Sequence, residues 1–227
     1  AAGARLAICD VNEEGVQAFA DELRAQGTDT LAMAVNVGVS SQVTALFEAI
    51  QAKWGRLDCA FNNAGVGGGG LPLLDTDDES WMNCVQVNLS SVFYCMRAEI
   101  RMMTALGGGT IVNNCSVLGI KGGLGAAGAA YTATKHGVAG LTKNAAIAYG
   151  AQGVRVNAVC PGLISAGLGL KVLQRPPEQV ATLISAQPLG RAGSSQEVAD
   201  AVLWLCSPQS SYITGHLLPV DGGFRAR

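Results

Sequence analysis

Tyr131 and Lys135 stand four residues apart, a spacing that sets a phenol and an ammonium on one face of a helix. A tyrosine keeps its proton to about pH 10, and a fixed positive charge nearby favours the phenolate and brings the group towards working pH. Such a pair can take or give a proton. A packed tyrosine beside a solvated lysine has the same spacing, so the pair gains meaning only from the elements that would hold other groups around it.

Those elements can be read from the hydrophobic pattern. Residues 5–9, 31–35, 57–61, 110–114, 154–159 and 217–220 are short, largely apolar runs that predict strands. Between them, residues 13–26, 41–54, 79–105, 131–149 and 196–206 have helical periodicity. Alternating strand and helix predicts a doubly wound parallel sheet with helices on both faces, a three-layer α/β/α Rossmann-like single domain, because each parallel pair needs a crossover. Strands buried on both faces should be apolar without alternation, and these mostly are.

In such a sheet ligands bind beyond the carboxyl ends of the strands. Asp10 follows the first run, Asn36 the second, Asn62-Asn63-Ala64-Gly65 the third, Cys115-Ser116 the fourth and Cys160-Pro161-Gly162 the fifth. A carboxylate at the position of Asp10 can accept bonds from both hydroxyls of an adenosine ribose and would repel a 2'-phosphate, which predicts NAD over NADP; it could equally cap the helix that starts near Asn12. Asn36 could bond an adenine edge or turn the chain. In Asn62-Asn63-Ala64-Gly65 the small residues permit close approach of a cofactor, and the amides can tie neighbouring strands together. The Gly67 to Gly70 run reads as a flexible loop, since it lacks the strand-turn-helix context of a phosphate cradle.

The composition narrows the partners. With 227 residues, 49% hydrophobic and 14% charged, the chain can build one large core. A net charge of −2 with scattered Lys and Arg offers no basic stripe for nucleic acid and no polybasic membrane patch, and no run is long and apolar enough to span a bilayer. Small molecules are the expected partners. Seven widely spaced cysteines without a CxxC read as buried free thiols, which suits a reducing, cytoplasmic setting, and with only two histidines no metal site is expected.

With Asn62-Asn63-Ala64-Gly65, Asn88-Leu89-Ser90-Ser91, Ser116, the Tyr131 and Lys135 pair and Cys160-Pro161-Gly162 in this order, nearly the whole chain resembles the short-chain dehydrogenase/reductase family. Tyr212-Ile213-Thr214-Gly215 through Val220-Asp221-Gly222-Gly223 resembles that family's last strand and its approach. The resemblance implies an NAD-linked alcohol dehydrogenase or carbonyl reductase. Tyr131 would be the acid/base, Lys135 its electrostatic support and the holder of the nicotinamide ribose, and Ser116 the group that orients the substrate oxygen. Asn88 would distort its helix and hold a water that passes protons from the lysine. Asn36 and Val37 would line the adenine, and Asn63, with Ala64 and Gly65, would lie against the cofactor. Pro161, Gly162 and Ile164 would flank the nicotinamide. Pairing through the segments 79–105 and 131–149 would give a homodimer or homotetramer.

The sequence departs from the family in three places. Ala166 stands where a threonine is frequent, and the glycine-rich loop between Ser116 and Tyr131 is slightly long. The family's opening strand, its TGxxxGxG turn and its first helix are not seen ahead of Gly3-Ala4-Arg5, so the expectation is an N-terminally incomplete domain with a gap between the strands ending at Asp10 and Asn62. That gap raises a second reading, a non-catalytic relative that serves as scaffold or binding subunit without a cofactor. Substrate choice would be set by residues 118–130 and 163–186, where Leu168, Leu170, Val172 and Leu173 suggest an apolar lid.

Overall fold

The computed structural model describes residues 3–122 and 128–226; residues 123–127, the middle of the glycine-rich loop, lie outside the described residues. Six strands, β1 (Leu6–Asp10), β2 (Thr30–Ala34), β3 (Cys59–Asn62), β4 (Gly109–Asn114), β5 (Val154–Pro161) and β6 (Leu217–Val220), alternate with helices. The helices are α1 (Glu13–Ala25), α2 (Ser40–Trp54), α3 (Asp78–Val85), α4 (Ser91–Ala105), α5 (Ala129–Tyr149), α6 (Leu168–Leu173), α7 (Pro177–Ser185) and α8 (Ser195–Cys206). Every strand pairing is parallel.

The three layers follow from which strand residues meet which helix. Ile111, Val156 and Ala158 pack against Val92, Met96 and Val138 of α4 and α5, whereas Val112 and Val159 pack against Val202 and Leu205 of α8. Both faces of β4 and β5 are therefore covered, which accounts for their unalternated apolar sequence. Ala139, Ala145 and Ala146 lie in the α5 side of this core, so these small residues bring the helix close to the sheet.

The strands form two hydrogen-bonded groups, β1 with β2 and β3-β4-β5-β6 in that order, and among the described residues β1 and β3 are not bonded to each other. Strand β3 leaves Cys59 and Phe61 exposed. The reading of all seven cysteines as buried is thus corrected: Cys84, Cys95, Cys115 and Cys160 are buried, Cys9 and Cys206 are half-buried, and Cys59 is exposed.

Two element boundaries matter for the site. The long helix expected over 79–105 is divided by a π-helical turn at Gln86–Ser90, which separates α3 from α4. Helices α6 and α7 were not read from the sequence; they form an excursion closed at its base by a bridge between Ile164 and Gly193. Just beyond that base α8 starts on a capping box, in which Ser194 and Glu197 satisfy each other's backbone N–H, while Arg191 pairs with the same Glu197.

Candidate active site

The carboxyl ends of the strands bring most of the predicted residues to one edge. Asp10 ends β1, Asn63, Ala64 and Gly65 follow β3, Ser116 lies two residues after β4, and Pro161 ends β5 with Gly162 next. Helix α5 runs under this edge and delivers Tyr131 from its first turn and Lys135 one turn later.

The lysine is buried, and its Nζ donates to the Asn114 carbonyl at 2.7 Å while standing 5.5 Å from the centre of the Tyr131 ring. Burial lowers its pKa. For Tyr131 the direction differs from the sequence reading: burial is the largest influence and pushes its pKa above the ordinary value, with the nearby Ser116 acting in the opposite sense. Ser116 Oγ accepts from the Leu118 N–H at 3.1 Å, which fixes its rotamer.

Asn88 sits at the centre of the π turn and is fully buried. Its Oδ1 accepts from the Val66 N–H at 2.7 Å, and its Nδ2 donates to the Val66 carbonyl at 2.9 Å, with Cys84 Sγ and Thr134 Oγ1 at 3.2 and 3.4 Å. The loop after β3 is therefore tied to the helix that carries Asn88. Thr134 itself donates to the Tyr131 carbonyl at 2.9 Å, which extends the network along α5.

The paired asparagines at the ends of β3 and β4 act as anticipated. Asn62 Nδ2 bonds Asn113 Oδ1 at 3.0 Å, and Asn114 Nδ2 bonds Asn63 Oδ1 at 2.8 Å. Asn62 also donates to Glu99 at 3.1 Å, and Asn113 to Thr142 at 3.0 Å, so a buried polar chain runs from α4 to α5 beneath the site.

Other residues lie further out. Asp10 is exposed, and one of its oxygens accepts from the Asn12 N–H, whereas the cap of α1 is Asn12 itself. Asn36 turns the chain by accepting from the Gly38 N–H, and Val37 packs with Val35, Leu46 and Ile50. Ile164 joins Gly193 at the base of the α6–α7 excursion, where the Ser165 hydroxyl also bonds the Gly193 carbonyl. That bond occupies the hydroxyl that could have replaced the threonine missing at Ala166.

The Gly67 to Gly70 run is not merely a connecting loop. Gly68, Gly69 and Gly70 all have positive φ (60°, 73° and 68°), and a Cβ on Gly68 would stand 2.9 Å from Cys84 Sγ and 3.3 Å from the Tyr131 nitrogen. Gly68 is seated on the start of α5, where a side chain is excluded both by conformation and by contact, whereas Gly69 and Gly70 are required by conformation alone.

Whether these residues suit a nicotinamide nucleotide can be judged from two features. A Cβ on Gly65 would meet Asn88 Oδ1 at 3.3 Å and Lys135 Nζ at 3.7 Å, so glycine there keeps the surroundings of the lysine uncrowded. Asn114 Oδ1 is buried without a partner, an acceptor awaiting a donor. Both lie on the edge that carries Asn63, Ser116 and Lys135, and they fit the group. Sequence reasoning missed Asn114, Thr134 and Cys84. The doubled Asn113-Asn114, matching Asn62-Asn63, was the available signal for the first; nothing local marks the other two.

The chain as a whole is similar to known proteins. The family described as enoyl-(acyl carrier protein) reductase matches residues 1–225. An A-factor type gamma-butyrolactone 1'-reductase (1S-forming) of Streptomyces virginiae is 40% identical over 98% of this chain and 86% of its own. A cis-4-hydroxycyclohexanecarboxylate dehydrogenase of Sinomonas cyclohexanicum is 38% identical over 99% of this chain and 88% of its own. Among solved structures, levodione reductase superposes with a TM-score of 0.93 at 35% identity, covering 99% of this chain and 89% of that one. A gluconate 5-dehydrogenase from Burkholderia cenocepacia J2315 in complex with NADP and tartrate gives 0.92 at 31%, covering 99% and 87%. A 7α-hydroxysteroid dehydrogenase complexed with NADH and 7-oxo glycochenodeoxycholic acid gives 0.90 at 29%, covering 98% and 85%. The chain belongs to the short-chain dehydrogenase/reductase family, and the relatives named above are dehydrogenases and reductases.

Proposed function

We propose that the protein interconverts a secondary alcohol and a ketone with NAD(H), and that Tyr131, Ser116, Lys135 and Asn88 carry the site. The single observation behind this reading is the buried Lys135 ammonium, held by the Asn114 carbonyl at 2.7 Å and standing 5.5 Å from the centre of the Tyr131 ring on the strand edge that carries Ser116. A substrate oxygen placed between the Ser116 and Tyr131 hydroxyls can be held and proton-coupled at once. When bound, the nicotinamide ring supplies or accepts the hydride. In reduction the Tyr131 hydroxyl gives its proton to the oxygen that becomes an alkoxide; in oxidation its phenolate takes the alcohol proton. Ser116 donates to the same oxygen and orients the carbonyl.

Lys135 Nζ, kept in place by the Asn114 carbonyl, provides the positive field and would reach the ribose hydroxyls. Asn63, Ala64, Gly65, Pro161, Gly162 and Ile164 would line the nucleotide on the strand edge. Asn88 has both side-chain heteroatoms engaged with Val66, so it acts by positioning that loop. Asp10 has a carboxylate oxygen left after bonding Asn12, and it supports NAD over NADP through repulsion of a 2'-phosphate.

Leu168 lies against Gly67, and with Leu170 it gives the mouth an apolar rim, which favours a cyclic or otherwise hydrocarbon-rich alcohol. The reading is tested by following absorbance at 340 nm with NAD and with NADP over a panel that includes cyclohexanol, its carboxylates and a hydroxysteroid. No turnover and no nucleotide binding would instead favour a scaffold role. For assembly, the shallow groove lined by Leu89, Phe93, Tyr94, Gly137, Gly140 and Leu141 supports pairing of two copies through α4 and α5 into a dimer or tetramer, which sedimentation would measure. Free thiols at all seven described cysteines suit a reducing cytoplasm.

A further inference from the structure

The short turn that follows β6, at residues 221–226, touches three separate segments of the site. Asp221 packs directly on Gly162: a Cβ on that glycine would stand 3.0 Å from the Asp221 Cα, and the Gly162 N–H is bonded to the Val220 carbonyl at 3.0 Å. The Leu189 N–H, just past the end of α7, bonds the Gly222 carbonyl at 3.1 Å, and Gly223 lies against Pro188. Across the mouth, the Arg225 guanidinium donates to the Ile120 carbonyl, and Lys121 Nζ stands 5.0 Å from the centre of the Phe224 ring.

The turn is built to hold Arg225 in that place. Asp221 accepts from the Gly223 N–H at 3.0 Å and from the Arg225 N–H at 2.9 Å, which fixes the backbone on either side of the buried Phe224. Residues 117–122 begin immediately after Ser116, and among the described residues the Leu118 and Gly119 N–H groups bond back to Ser116 and Ile120 back to Val117. Val117 and Gly119 are buried and Ile120 packs against the main core, and Arg225 and Phe224 add a further restraint at the outer end of the segment.

We propose that Arg225, set by Asp221 and Phe224, is a positioning residue that pins residues 117–122 against the Pro161–Gly162 turn and so fixes both the angle of Ser116 to a bound substrate and the width of the mouth. The part that concerns the substrate rests on the proposed dehydrogenase reading. The pinning itself does not. A charge-assisted bond holds more strongly than a neutral one, so its loss should release the segment without loosening the sheet.

The test is hydrogen exchange on the full chain, with Arg225→Met and Arg225→Lys as variants and Lys121→Met as a second route to the same contact. The Met variant at 225 should speed exchange in residues 117–122 by about tenfold and leave β4 and β5 unchanged; the Lys variant, still a cationic donor, should restore most of the protection. In turnover, Arg225→Met should raise KM for the alcohol by about as much while the affinity for NADH, read by fluorescence, stays the same. Unaltered exchange in 117–122 in both Met variants, or an equal rise across β4 and β5, would overturn the proposal. If the unsubstituted protein oxidises no alcohol, the dehydrogenase reading fails, and the exchange data still decide the pinning.

Discussion

Asn88 and Val66 are joined twice: the side-chain amide accepts from the Val66 N–H at 2.7 Å and donates to its carbonyl at 2.9 Å. Two backbone groups of the loop after β3 thus depend on one buried side chain. Asn88→Ala should lower stability by about 2 kcal/mol, the cost of leaving buried partners unmade, and Asn88→Asp should fall between, since it keeps the acceptor. Urea unfolding measures both. Because the loop belongs to the proposed nucleotide site, the Ala variant should also weaken NADH binding; unchanged affinity would show that the bond serves the fold alone.

Burial pushes the Tyr131 pKa above the usual tyrosine range. Without nucleotide, the ultraviolet difference between the protein and its Tyr131→Phe variant should show an ionisation midpoint above about pH 10. Adding oxidised nucleotide, whose ring is positively charged, should lower it. The Phe variant should lose roughly 10²- to 10⁴-fold in kcat, the usual scale for removing an acid/base group, and retain nucleotide binding.

Asp10, exposed at the end of β1, keeps one carboxylate oxygen free of Asn12. Replacing it with Ser should remove the repulsion of a 2'-phosphate and shift the ratio of NADPH to NADH dissociation constants by about tenfold or more. An unmoved ratio would assign Asp10 only to the turn before α1.

Glu99 is fully buried, and burial pushes its pKa up to about 8. The folded state therefore holds a proton that the unfolded chain releases near the ordinary carboxylate value. Folding takes up protons between the two pKa values, so the stability Glu99 confers is full below the lower one and is lost as pH rises towards about 8. Glu99→Gln should remove this slope and stabilise the protein at pH 8 by an amount on the order of 2 kcal/mol, with little difference near pH 4.5. Paired unfolding curves at the two pH values measure it.

Gly68 combines a φ of +60° with contacts that would place a Cβ 2.9 Å from Cys84 Sγ. Gly68→Ala should cost about 1–2 kcal/mol from backbone conformation alone, and more from the sulfur contact. Pairing it with Cys84→Ala should recover only the second part.

Much of this protein was legible in one dimension. Strand period, helix period and the residues that close each strand are local properties, so they gave the alternation of elements, the parallel sheet and the edge that carries Asp10, Asn63, Ser116 and Pro161. The spacing of Tyr131 and Lys135 is likewise fixed by helix geometry alone. The π turn around Asn88 was not legible from periodicity, because it depends on Val66, 22 residues earlier in the chain. Helices α6 and α7 were missed because their boundaries depend on a bridge between Ile164 and Gly193. Only the tertiary structure decided that burial raises the Tyr131 pKa, that the Gly68 turn sits on the start of α5, and that Arg225 reaches Ile120. Burial and contact across the fold are sums over distant segments, and no local pattern records them.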